Sequence, residues 1–149
     1  MTDTYINGRS LRLFLIDGTA TGLITAEIIN WTGHALVAPM SRLQDLVKRS
    51  ETSRSGIYFL IGDDPEDPTR QKLYIGESDN VRDRLYQHQK SDTKDYVLRV
   101  CVITSKDTNL TKGHVRYLEA RLIEMAAEAD RVTLDNGTRP PRPSLPEAD

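Results

Sequence analysis

The chain has 149 residues, of which 38% are hydrophobic and 28% charged, a composition that supports a packed core and excludes wholesale disorder. No apolar run is long enough to cross a bilayer, and the N-terminus lacks the basic start and apolar centre of a signal peptide. The single cysteine, Cys101, excludes an internal disulfide, so we expect a cytoplasmic protein with no membrane partner.

Charge is distributed unevenly along the chain. The net charge of −2 argues mildly against nucleic-acid binding. Residues 70–121, however, hold eleven Lys and Arg against seven Asp and Glu. This local excess permits a face that binds phosphate groups without proving one.

The first third of the chain predicts a small α/β unit. Apolar patterns and turn residues predict a strand, a segment for which helix is favoured slightly over strand, a short strand and a helix. In order, these are residues 10–16, 22–31, 35–38 and 41–50. No catalytic set of residues occurs here. We therefore expect residues 1–52 to form an N-terminal appendage that packs beside a core, guides a substrate or binds a partner.

Two short apolar runs, 56–61 and 71–76, predict a strand hairpin. Because side chains alternate along a strand, aligning the apolar faces puts Tyr58 and Tyr74 on the same side. The glycines on that side, including Gly76, leave room for a ligand near the backbone. Two half-buried structural tyrosines are the alternative interpretation.

The segments on either side of the second run are polar. Residues 62–71 contain two prolines among acids and predict an exposed turn, which we favour over a carboxylate metal site. After the hairpin, a helix begins near Ser78 or Asp79, both of which are good caps. Arg84 and His88 are four apart and therefore lie on one face of this helix.

The third quarter of the chain predicts a strand and a long helix. Residues 97–104 are almost continuously apolar, as in a central strand covered on both sides. Residues 112–129 have helical periodicity, and Glu119 lies beside an apolar row. The row consists of Val115, Leu118, Leu122, Met125 and Ala129. A carboxylate held this close to a core needs a partner, which is either an arginine (Arg116 or Arg84) or a divalent cation.

The C-terminal end predicts a turn and then an extended segment. Asp135-Asn136-Gly137 is a turn signal. Residues 138–149 contain four prolines and predict an extended or disordered tail, or a linker.

Four of these features occur together in one known family. GIY stands at 56–58, YIG at 74–76, an arginine at Arg84 and a glutamate on a later helix at Glu119. In this order they resemble the GIY-YIG nuclease family. The resemblance implies an α/β domain over residues 53–137, with a small central antiparallel sheet of about three strands flanked by helices and preceded by the appendage.

The resemblance also implies roles for the matching residues. Tyr58 is expected to activate the attacking water, Arg84 to stabilise the phosphate, and Glu119 to hold Mg²⁺ or Mn²⁺. A free tyrosine has a pKa of about 10, so Tyr58 as a base requires positive charge nearby. Tyr74 and His88 are implied to support catalysis. Gly76 and Asn136 are implied to bind the substrate. For His88 and Asn136 the alternatives are a satisfied surface histidine and a turn residue.

One position departs from the pattern, because Glu77 stands where some relatives have a lysine. It is expected to repel phosphate, bind the metal as a second ligand, or pair with an arginine. Together these features predict a metal-dependent endonuclease that hydrolyses phosphodiester bonds in DNA. The alternative is a non-cleaving nucleic-acid-binding or protein-interaction module on the same fold. The sequence makes no prediction of oligomeric state.

Overall fold

A computed structural model describes residues 8, 10–28, 32–106, 110 and 112–137. These residues form one seven-stranded sheet with helices on both faces. The strands are β1 (Leu11–Leu15), β2 (Ile24–Ile28), β3 (Gly33–Pro39), β4 (Gly56–Asp64), β5 (Asp67–Ser78), β6 (Val97–Ser105) and β7 (Val132–Leu134). The α-helices are α1 (Leu43–Val47), α2 (Val81–Gln89) and α3 (Lys112–Ala129), and short 3₁₀ turns cover Met40–Arg42, Ser50–Ser53 and Asp92–Lys94.

The order of strands across the sheet is β1-β2-β3-β6-β4-β5-β7. All neighbouring pairs are antiparallel except β5 and β7, which are parallel. In the β4–β5 hairpin Tyr58 lies opposite Gly76, and Leu60 lies opposite Tyr74. This register confirms that the two tyrosines share one face, because residues two apart on a strand point the same way.

The two faces of the sheet have separate cores. On the face that carries Tyr58 and Tyr74, α1 and α2 cover a core that includes Leu36, Leu60 and Leu85. On the opposite face, α3 covers a smaller core, whose buried members are Ile57, Ile75, Val115 and Ile123. The hairpin therefore lies between two helical layers, and its alternate residues face different layers.

The α/β class is confirmed, but the predicted sheet of about three strands was wrong. β3 pairs with β6 along its whole length, so the first three strands extend the same sheet. The apolar run 97–104 was expected to lie centrally, and it does, because β3 and β4 flank it. A three-stranded sheet would leave the edge of this strand open, and pairing with β3 closes it.

Several predicted elements also differ in detail. Residues 24–28 of the segment 22–31 are strand, since Ile24 and Ala26 alternate with polar residues against β3. The predicted exposed turn 62–71 is mostly strand, because β4 continues to Asp64 and β5 begins at Asp67. The helix after the hairpin is capped by Asn80, whose side chain accepts a hydrogen bond from the Asp83 amide.

Other sequence predictions are confirmed or lie outside the described residues. The strand at 35–38 and the long helix 112–129 are present. The proline-rich tail 138–149 falls outside the described part of the chain. In the described part, no helix combines the length and the apolar character needed to cross a membrane.

Candidate functional site

Three aromatic rings meet on the α2 side of the hairpin. Tyr58 and Tyr74 come from the paired strands, and their ring centroids are 6.2 Å apart. His88, from the last turn of α2, lies 5.4 Å from Tyr58 and 5.1 Å from Tyr74 by the same measure. The Tyr58 hydroxyl is hydrogen-bonded to His88 Nε2 at 2.7 Å. The first tyrosine of the two tripeptides is therefore joined directly to an imidazole.

Gly76 makes room for this arrangement. A Cβ atom at Gly76 would overlap the ring and hydroxyl of Tyr58, which lies across the hairpin. The sequence predicted that the space at Gly76 admits a ligand near the backbone. In this structure the Tyr58 phenol fills that space, so the glycine serves the packing of the phenol.

Helix α2 brings Arg84 and His88 to the phenols. Val81 and Leu85 are buried against the sheet and fix the rotation of the helix. Arg84 and His88 then reach the same two tyrosines, as their spacing of four predicted. The Arg84 guanidinium interacts electrostatically with both Tyr58 and Tyr74. His88 is a buried residue rather than a surface histidine.

Burial shifts the pKa values of Tyr58 and His88 in opposite directions. Burial raises the pKa of Tyr58 above its ordinary value of 10.0, the nearby Tyr74 raises it further, and Arg84 lowers it by less. Burial also lowers the pKa of His88 to about 4, and the charges of Arg84 and Lys94 act in the same direction. Tyr58 is therefore a protonated phenol and His88 a neutral imidazole near pH 7. The expected acidification of Tyr58 by Arg84 is present but is outweighed by burial.

Glu119 is on α3, which packs on the opposite face of the sheet from Tyr58 and Tyr74. Beyond β7, the Asn136 side chain pairs with both backbone groups of Ile75: its Oδ1 accepts from the amide at 3.1 Å and its Nδ2 donates to the carbonyl at 2.8 Å. The backbone of Ile75 therefore points away from β4. Two residues on, the Glu77 amide has the same direction. Burial raises the pKa of Glu119 on α3, and this amide acts in the opposite direction.

Arg84 connects the two halves of the site. Burial raises the pKa of the half-buried Glu119, and the charge of Glu77 raises it further. The Glu77 amide, Arg116 and Arg84 oppose this rise. Arg84 thus acts electrostatically on the phenols of one layer and on the carboxylate of the other. Of the four residues predicted from sequence, Arg84 is the one with electrostatic interactions to the other three, Tyr58, Tyr74 and Glu119.

Asn136 has a different position from the one the resemblance implied. Its side-chain amide pairs with the backbone of Ile75, the middle residue of YIG. The amide thus makes the two hydrogen bonds that a neighbouring strand would make. In this structure Asn136 fixes the strand that carries Tyr74. The turn interpretation is also satisfied in part, because the Asp135 amide donates to the Leu73 carbonyl just before it.

A polar network beside Tyr74 was missed from sequence. Asp135 accepts hydrogen bonds at 2.9 Å from both Lys94 Nζ and the Tyr96 hydroxyl. Lys94 Nζ also lies 4.4 Å from the centroid of the Tyr74 ring, and Lys72 lies 3.7 Å from Asp135. No local sequence signal marks this network, since its members come from β5, the turn before β6 and the segment after β7.

The carboxylates offer a partial site for a hard cation. Among the described residues, no cluster of three or more His, Cys, Asp or Glu side chains is placed to enclose a metal ion. Glu77, however, has one carboxylate oxygen, Oε2, that is buried without a hydrogen-bond partner in the described structure. An oxygen of this kind beside Glu119 fits a divalent cation that takes its other ligands from water and substrate.

The hairpin and the elements that follow it match one known family. The GIY-YIG catalytic domain family matches residues 54–128, just over half of the chain, and the protein belongs to this family. No curated protein and no solved structure matches the chain significantly. The matched range covers β4, β5, α2, β6 and nearly all of α3.

Proposed function

We propose that the protein is a metal-dependent endonuclease that hydrolyses phosphodiester bonds in DNA. The observation that supports this most is the position of Arg84, which interacts with both phenols and also with the Glu119 carboxylate. A phosphodiester bound at this guanidinium therefore enters the electrostatic surroundings of the two phenols and of the Glu119 carboxylate.

Arg84 binds the phosphate in this proposal. A planar guanidinium donates to two non-bridging oxygens at once, and it stabilises the charge that grows on them as water attacks. Arg84 donates a hydrogen bond to the Gln87 side chain on the same helix. A phosphate oxygen can replace the Gln87 oxygen as the acceptor. The guanidinium then stays hydrogen-bonded while it binds the phosphate.

Tyr58 and His88 act on the attacking water as a pair. A buried phenol with a raised pKa is a poor phenolate, but it can take a proton from water while it passes its own to His88. The neutral imidazole accepts that proton at Nε2, when the ring carries its other proton on Nδ1. Because Tyr58 is fully buried, the water reaches it only when a neighbouring side chain moves on substrate binding.

Glu119 holds the cation, and Mg²⁺ or Mn²⁺ suits its oxygen ligands. When bound, such an ion neutralises phosphate charge and stabilises the leaving oxygen. Tyr74 supports Tyr58 and Arg84 from the adjacent strand. Gly76 and Asn136 keep the predicted substrate-binding role in an indirect form, since one seats the phenol and the other fixes YIG.

DNA in the cytoplasm is the proposed substrate. The excess of Lys and Arg over residues 70–121 supports a phosphate backbone as the ligand. On the phenol side this excess includes Lys72 and Lys94, both beside Tyr74 or its neighbour Tyr96.

A plasmid-nicking assay tests the proposal. Supercoiled plasmid is incubated with the full chain in Mg²⁺ or Mn²⁺, with and without a chelator. We expect nicking that the chelator abolishes and that falls by at least about a hundredfold in Arg84→Ala and Glu119→Ala. The controls are Arg99→Ala and Glu66→Ala, which change exposed residues away from the cluster.

Equal nicking by wild type and Glu119→Ala would contradict the proposal, as would the absence of cleavage on any nucleic acid. Binding of DNA without cleavage would favour the non-cleaving module instead.

A further inference from the structure

We propose that Glu77 is a second protein ligand of the divalent cation, together with Glu119; this inference rests on the proposed function. Glu77 directly follows YIG, and its side chain points to the α3 layer because Gly76 faces the other way. The position that departs from the family pattern therefore lies beside the predicted metal ligand.

The surroundings of Glu77 leave one of its oxygens unsatisfied. The side chain is only 18% exposed, and Oε2 is buried with no hydrogen-bond partner in the described structure. The other oxygen, Oε1, is 3.9 Å from Arg116 Nε, and the Arg116 side chain is 60% exposed. At this distance and exposure the ion pair with Arg116 contributes little. Burial of the remaining oxygen is costly unless a cation or a donor meets it.

Glu119 lies one turn along α3 from the contact that Glu77 makes. Glu77 Oε1 lies 3.9 Å from Arg116 Nε, and Arg116 is three residues before Glu119 on the same helix, so the two residues share one face. Two carboxylates thus share a half-buried corner between β5 and α3, and they repel each other while both are ionised. A divalent cation between them removes the repulsion and gives Oε2 a partner.

The ligand chemistry agrees with this placement. Mg²⁺ and Mn²⁺ take oxygen ligands, and Mg²⁺ is usually bound through one or two carboxylates plus waters and substrate phosphate. A lysine at position 77 would instead supply a positive charge directly. In this chain, Glu77 supplies a second carboxylate ligand in place of that positive charge, so the cation is bound more tightly.

The test is titration of the purified full chain with Mn²⁺, in which free Mn²⁺ is followed by electron paramagnetic resonance. We expect the wild type to bind one ion, and Glu77→Gln and Glu119→Gln each to weaken the binding about tenfold or more. The control is Glu66→Gln, at an exposed acid in the β4–β5 turn, which should bind as the wild type does. Binding by Glu77→Gln within twofold of the wild type would overturn the proposal, as would no binding by the wild type at millimolar Mn²⁺.

Thermal unfolding gives a second readout that a purely structural role would not produce. Without metal, Glu77→Gln should melt at a higher temperature than wild type, because repulsion of Glu119 is lost. With Mn²⁺ the wild type should gain stability and the variant should not. A variant that melts lower than wild type without metal, yet gains as much on adding Mn²⁺, would contradict the proposal.

Mn²⁺ binding by Arg116→Ala tests the proposal even if the Glu77 variants fold poorly. We expect it to bind Mn²⁺ as tightly as wild type or more tightly, because a competing cation is removed. Weaker binding would show that Arg116 is the true partner of Glu77 and overturn the inference.

The plasmid assay separates this inference from the function on which it rests. Chelator-sensitive cleavage that requires Glu119, with Mn²⁺ binding indifferent to Glu77, would remove the inference and leave the function. Mn²⁺ binding that requires both carboxylates, with no cleavage of any nucleic acid, would do the reverse.

Discussion

At the scale of single residues, Tyr58 determines the geometry of the cluster. It is fully buried, it is bonded to His88, and its ring occupies the space that Gly76 leaves. The sequence placed both tyrosines on one face because strand alternation is strict. It did not reveal the burial of the phenol, which depends on how α2 closes over the hairpin.

Gly76→Ala tests the packing of the phenol. The added methyl group overlaps Tyr58, so we expect a loss of roughly 1–3 kcal/mol in the free energy of unfolding and loss of nicking activity. Urea denaturation measures the first and the plasmid assay the second. Gly8→Ala is the control, because nothing lies within 4 Å of a Cβ at that site. Full activity and stability in Gly76→Ala would show that Tyr58 does not need this position.

The depressed pKa of His88 predicts how stability depends on pH. Between about pH 6.5 and about pH 4 the unfolded chain binds a proton at this histidine and the folded chain does not. Stability should therefore fall as the pH decreases through this window, by up to about 1.4 kcal/mol per pH unit from this group. His34, whose pKa burial also lowers, contributes in the same direction.

Unfolding free energies of wild type and His88→Gln at several pH values measure this effect. The variant should show a shallower slope between pH 6.5 and pH 4 while retaining the share from His34. Parallel slopes for the two proteins would mean that His88 titrates normally in the folded state.

At the scale of elements, β5 contributes residues to both layers, because Tyr74 faces α2 and Ile75 faces α3. The sequence predicted the long helix α3 but placed Leu118 and Met125 in its apolar row, and both are exposed. The buried row includes Val115 and Ile123. With this rotation Glu119 is half-buried. Periodicity alone left open whether its partner is an arginine or a cation.

The short parallel strand β7 was not predicted. Its three residues, Val132–Leu134, carry too little pattern to identify a strand. Yet β7 delivers Asn136 to Ile75 and Asp135 to Lys94, so a part of the site depends on an element that local sequence cannot reveal.

Asn136→Asp tests this clamp with little change in shape. A carboxylate still accepts from the Ile75 amide, but the Ile75 carbonyl loses its donor. We expect a loss of about 1–3 kcal/mol and faster hydrogen exchange along β5. Nicking should fall because YIG is less firmly held. Unchanged exchange at Ile75 would argue that β7 and β4 suffice to hold the strand.

At the scale of the whole molecule, the N-terminal strands belong to the same sheet as the hairpin. The sequence predicted that residues 1–52 form an appendage, because no catalytic set of residues occurs there. Pairing of β3 with β6 is long-range and carries no local signal, so the sequence did not reveal it. Leu36 and Leu46 share one core with Tyr58 and Leu85.

Leu36→Ala tests whether the division at residue 52 is a real domain boundary. Leu36 is buried on β3, and its truncation should cost about 2–5 kcal/mol. If the sheet unfolds as one unit, a single thermal transition should shift to lower temperature by circular dichroism, with loss of nicking in the same range. Two transitions, with nuclease activity persisting through the first, would show that the first 52 residues form an independent domain.

The most direct measurement for the whole account is a crystal structure of the chain with Mn²⁺ and a DNA oligonucleotide. Anomalous scattering should place the ion about 2 Å from a Glu119 oxygen. The account predicts that the same phosphate contacts both this ion and Arg84, with the Tyr58 hydroxyl facing it. An ion elsewhere on the protein, or DNA bound on a face remote from Arg84 and Glu119, would contradict it.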